Sequence, residues 1–133
     1  MKMLLRTIAG VVLGYAIMVV LITLVQETWF GGVAWGETPL APLLLAGFFT
    51  CLAALIGAAA ATAIARPGGR AAAVVMSCLV AIETTVLVVT GRVGGPLWFD
   101  IAAAASLIVA IVLGAELVLR WTGRADALTR ASE

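Results

Sequence analysis

The run Ala71–Thr90, AAAVVMSCLVAIETTVLVVT, decides the fold. About 20 residues rising about 1.5 Å each match the roughly 30 Å hydrocarbon core of a bilayer. The one charged residue in the run is Glu83, past its middle. An ionisable side chain at that depth costs about 3 kcal/mol even on cautious insertion scales, so Glu83 needs a proton, a partner or a path to water. Three more apolar stretches, with charges only near their ends, accompany this one. The spacing predicts an all-α integral membrane protein, an up-and-down bundle of four transmembrane helices forming one domain over 1–133. The expected spans are about 5–26, 42–65, 70–90 and 97–120, with an outer loop at 27–41 and a tail at 121–133.

Composition points the same way. The chain has 133 residues, 64% of them hydrophobic and 11% charged, with a mean hydropathy of +1.20. A water-soluble domain of this size has too little interior to hide that much apolar surface. A net charge of +1 argues against a nucleic-acid partner, which selects for a basic face. Histidine is absent, which removes the commonest ligand of haem and transition metals, and no cofactor is expected. Cys51 and Cys78 fall at different depths of separate spans, too far apart to be bridged.

The ends of the spans carry the orientation signal. MKMLLR opens the chain like a signal sequence, but the apolar run after it is longer than an h-region and lacks an A-x-A cleavage pattern, so it reads as a retained first span. Four crossings put Lys2, Arg6, Arg66, Arg70, Arg120, Arg124 and Arg130 on one side and only Arg92 on the other. Cations gather on the cytoplasmic face, so both termini are expected there, in a bacterial-type inner membrane. Trp29, Phe30, Trp35, Trp98, Phe99 and Trp121 lie near span ends, where aromatic rings anchor at headgroup level. RPGGR at 66–70 and GRVGGP at 91–96 are tight turns.

Small residues recur every four positions and mark where helices approach closely. Gly10 and Gly14 form one stripe; Gly57 and Ala61 belong to a ridge on the second span; Ala102, Ser106, Ala110 and Gly114 form the most regular ridge, on the fourth. With small residues on two faces, the second span is expected to be the most buried. Glu116 precedes Arg120 by four residues, the favourable order for an ion pair on one helix.

No phosphate loop, nucleophile elbow, metal constellation or dinucleotide fingerprint is present, and no Cys or Lys stands beside a base, so an enzyme is not expected. Glu83 therefore carries the functional question. On a helical wheel it shares a face with Met76, Leu79, Val80, Val86, Leu87 and Thr90, with Ala73, Ser77, Ala81 and Thr85 roughly opposite. If the small ridge packs inward, Glu83 faces away from the bundle and meets another membrane protein or a second copy of the chain. If the bundle is rotated instead, Glu83 points inward and bonds to Thr50, Thr84 or Tyr15. The first arrangement suits a non-catalytic accessory subunit or a self-associating module; the alternative function is a small proton-coupled transporter using Glu83. Besides membrane lipids, lipids or pigments bound between the ridges and the aromatic belt are the small molecules such a surface has room for.

RTIAGVVLGY at Arg6–Tyr15, GAAAATAIAR ending at Arg66 and PLWFD at Pro96–Asp100 resemble small four-span inner-membrane proteins of bacteria. The resemblance implies topology and location and brings no activity with it. The chain looks unlike the small multidrug-resistance transporters, whose membrane Glu lies in the first helix.

Overall fold

The computed structural model describes residues 1–32, 37–91 and 96–131, with side chains up to residue 124. Among them every regular element is helical: α1 Lys2–Thr23, continuing into a π-helical turn Leu24–Trp29, then α2 Leu40–Ile64, α3 Gly69–Val89 and α4 Leu97–Ala131. Four helices are long and apolar enough to cross a membrane. Prolines and glycines set their limits. Pro39 precedes α2 in extended geometry, Pro42 falls in its first turn, where no N–H is needed, and Pro67 follows its end. Gly91, at φ +65°, takes the left-handed position just after α3.

Two boundaries differ from expectation. The first helix continues to Trp29, so Gln26 and Glu27 belong to a helical turn and the outer connection is shorter than 27–41. The fourth does not stop at Arg120; it runs 35 residues to Ala131, about 52 Å, well beyond a hydrocarbon core. WTGRADALTRA contains no proline and a single glycine, Gly123, so nothing local stops the helix.

The bundle is assembled on backbone contact. The largest fully buried side chains are Met76, Ile111 and Thr62; the rest of the core is chiefly alanine, with Ala54, Ala58, Ala61, Ala65 and Ala72 sealed completely. Most leucines, isoleucines and valines of all four helices face outward, an apolar surface that calls for lipid or a partner in place of water. α1 and α2 run antiparallel with their glycines interlocked. A methyl group added at Gly10 would lie 2.6 Å from the Ala61 carbonyl oxygen, at Gly14 2.6 Å from that of Gly57, and at Gly57 2.7 Å from that of Gly14. On the other side of α2, Gly114 of α4 sits against the Leu55 carbonyl.

Successive helices alternate in direction, yet they are not neighbours in chain order around the bundle. α2 touches all three others, α3 touches α1, α2 and α4, and among the described residues α1 and α4 do not meet. The pairs α1·α3 and α2·α4 are consequently parallel, an arrangement that short hairpins alone do not specify. At one end Gly68 abuts Thr7 and Gly69 abuts Leu119, which brings the start of α1, the α2–α3 turn and the C-terminal half of α4 together. Lys2, Arg6, Arg66, Arg70, Arg120 and Arg124 all belong to that end. Arg92 and Trp35 lie outside the described residues, and Arg130 is described in backbone only.

Candidate functional site

The buried face of α3 follows Gly69, Ala72, Ala73, Met76 and Val80, and continued by the same spacing it arrives at Glu83 and Thr84. On α1, Tyr15 stands one position beyond Gly14, at the flank of the glycine stripe that turns toward α3. The two meet: the Tyr15 hydroxyl donates to Glu83 Oε2 in a hydrogen bond between parallel helices. The carboxyl nevertheless remains exposed on the outside of the bundle, and Tyr15 is half-buried. Glu83 lies six residues, about 9 Å, before the end of α3. Around it Ile82 (60% exposed) and Val86 (54%) point away from the bundle.

The observed arrangement lies between the two expected ones: Glu83 bonds to Tyr15, as in the rotated case, but stays exposed instead of pointing into the bundle. Met76 and Val80, expected on the outward face with Glu83, are buried, while Ala81 and Thr85 of the small ridge are exposed. Glu83 sits at the rim of the packed face, neither in the core nor opposite it. The reason is steric: Gly69 against Thr62 and Leu119 sets the rotation of α3 at its start, and Met76 fills the space that an alanine ridge would leave empty. Thr50 bonds elsewhere, accepting from Gln26 Nε2 at 3.3 Å. A phenol donating to a carboxylate holds the acid in place without a cation, and the same pair can carry a proton.

Of the expected ridges, Gly10, Gly14, Gly57 and Ala61 form one interface, whereas Ala102, Ser106, Ala110 and Gly114 divide. Ala110 and Gly114 are buried against α2; Ala102 and Ser106 are exposed. Gly114 of α4 lies directly against the α2 backbone at Leu55, whereas Ala102 and Ser106, nearer the start of α4, are not covered by it. Between the N-terminal halves of α2 and α4 lies a cavity of about 560 Å³ whose wall includes Gln26, Gly47, Thr50, Cys51, Phe99 and Ser106. The sequence suggested room for lipids or pigments between the ridges and the aromatic belt but did not locate this cavity. Gln26, a lone amide at the end of an apolar run, was the one available signal.

Glu116 pairs with Arg70 at 3.5 Å and not with Arg120. The start of α3, with its unpaired N–H groups and partial positive charge, lies across from Glu116 and reinforces Arg70. Trp29 packs on Phe49 with ring centroids 5.1 Å apart, Trp98 stands edge-on to Phe99 at 5.9 Å, and Phe30 is half-buried nearby in sequence. Trp121, 80% exposed, lies toward the opposite end. Cys51 and Cys78 are both free. Among the described residues no three Cys, Asp or Glu side chains gather to hold a metal.

Fold and site together define a small four-helix bundle, compatible with a multi-pass membrane protein, with a carboxyl–phenol pair on its outer face. Comparison with protein-family models, with curated proteins and with solved structures finds no match for the chain.

Proposed function

We propose that this chain is a non-catalytic, self-associating module of a bacterial-type cytoplasmic membrane, crossing it four times with both termini inside, and that Tyr15 and Glu83 lie at the contact between two copies. The observation that carries the reading is the exposure of Glu83 within an apolar span. Hydrocarbon alone is a poor environment for a carboxyl, whereas a second copy covers it and supplies a second phenol–carboxyl pair across a two-fold axis. The grouping of six described cations at one end supports the sidedness.

The test is oligomeric state in lipid nanodiscs and mild detergent by native mass spectrometry, with wild type, Glu83→Gln and Glu83→Ala compared. Wild type runs as a dimer, Glu83→Gln keeps part of the association through its amide, and Glu83→Ala is monomeric. A wild-type monomer in every medium overturns the reading; a wild-type monomer that co-purifies with a different membrane protein in a Glu83-dependent manner replaces it with an accessory subunit. Impermeant labelling of a cysteine placed at Lys2 or Arg124 in intact cells checks sidedness, and labelling from outside refutes it.

One observation favours a second reading, proton-coupled transport: Tyr15 is a second polar group beside the intramembrane carboxyl. Against it, neither Tyr15 nor Glu83 lines the cavity between α2 and α4. Proteoliposomes carrying an internal pH dye decide, since a transporter moves protons and loses that flux in Glu83→Gln.

A further inference from the structure

We propose that the cavity between α2 and α4, on the side of their N-terminal halves, binds a neutral, long-tailed lipid, whose carbonyl or hydroxyl head accepts from the Gln26 amide or the Thr50 hydroxyl, and whose hydroxyl, where it has one, donates to Ser106. At about 560 Å³ it falls within the roughly 300–1,000 Å³ range of small-molecule sites. Its wall carries no charged side chain among the described residues, so it complements an uncharged head and disfavours a phosphate. Thr50 and Ser106, ten and nine residues into the parallel helices α2 and α4, both line this cavity. Gln26 arrives at Thr50 from the π-helical turn, a rare geometry that recurs at functional sites. The bond to Thr50 uses one of the donors of the Gln26 amide, which also offers a carbonyl acceptor. The Ser106 hydroxyl donates to the Ala103 carbonyl at 2.7 Å and retains its lone pairs for a ligand.

Gly47 carries the argument further. Gly14, Gly57 and Gly114 are glycines because another backbone lies against them, but a methyl group at Gly47 would meet nothing within 4 Å. A glycine inside a helix costs about 1 kcal/mol relative to alanine, and here its effect is to keep the wall open. Beyond it Phe48 and Phe99 provide aromatic faces for the tail or for a ring-shaped head.

The two cysteines make the test internal to the chain, because Cys51 lines the cavity and Cys78 is exposed on α3. In phosphatidylcholine nanodiscs, the rate of N-ethylmaleimide addition at Cys51 is measured relative to Cys78 by mass spectrometry. Dioleoylglycerol, decylubiquinone and phosphatidylglycerol are added in turn at equal mole fraction. At least one neutral probe slows Cys51 several-fold with Cys78 unchanged; protection by dioleoylglycerol alone identifies a glycerolipid head, and by decylubiquinone alone a ring-shaped one. No protection by either neutral probe, or equal protection by phosphatidylglycerol, overturns the proposal. Gly47→Leu puts a bulky side chain into the cavity wall at a position where an added Cβ meets nothing within 4 Å, so persistence of the neutral-probe effect in that variant overturns it as well. In Gln26→Leu with Ser106→Ala the protection falls by the same several-fold factor, and its full retention refutes the assigned head-group contacts.

Discussion

A carboxyl at the rim of an apolar helix is held by what its neighbour offers, and Tyr15 offers a single phenolic hydrogen. Hydrogen bonds to charged groups in water-soluble proteins contribute about 1.5–3 kcal/mol, while those between membrane helices average about 0.6 kcal/mol. Tyr15→Phe is therefore expected to destabilise the bundle by about 1 kcal/mol, and a double-mutant cycle with Glu83→Gln to return a coupling energy of the same size. Thermal or denaturant unfolding in detergent measures both, and a coupling of zero means that the bond does not persist in solution. At Glu116 the expectation is a coupling of about 0–1 kcal/mol with Arg70, as for other exposed pairs, and none with Arg120. Sequence spacing shows only partners on the same helix, which is why Arg120 was the legible choice and Arg70 was not.

At the scale of the element, close helix approach depends on the absence of Cβ atoms. Gly14→Val or Gly57→Val forces carbon into a carbonyl less than 3 Å away, and overpacking of this kind costs about 1–3 kcal/mol or more. Gly47→Ala, which meets nothing, is expected to leave stability unchanged or raise it slightly. Melting curves of the three variants check the contrast, and equal losses would contradict the α1–α2 interface. The four-residue spacing of glycine and alanine made this interface readable from the chain alone. It also made Ala102–Gly114 look continuous, because a repeat says which face is small and cannot say how far a partner helix follows it. For α4, spin-label scanning across residues 121–131 is expected to show helical periodicity.

At the scale of the molecule the order of helices around the bundle is the least local property. A cysteine pair at Thr7 and Gly68, introduced after Cys51 and Cys78 are replaced, is expected to cross-link within one chain. Pairs placed between α1 and α4 are expected not to. The reverse result would restore a ring of helices in chain order. Parallel contacts α1·α3 and α2·α4 arise because α2 uses both of its small faces at once, for α1 and for α4, and the start of α3 then packs at the cation-bearing end, against Thr62 and Leu119.

Length and apolarity determined the four helices, their small-residue faces and the grouping of cations at one end, because each of these is a local or periodic property of the chain. Glu83 was visible as a problem for the same reason: one acid in a mostly apolar run of twenty residues needs no structure to be noticed. Its solution came from tertiary structure, since the rotation of α3 is set by packing at Gly69 and Met76, and the phenol that meets the acid lies sixty-eight residues away. The cavity beside Gln26 likewise exists only once two helices have crossed, because a void is a relation between surfaces and no single surface encodes it.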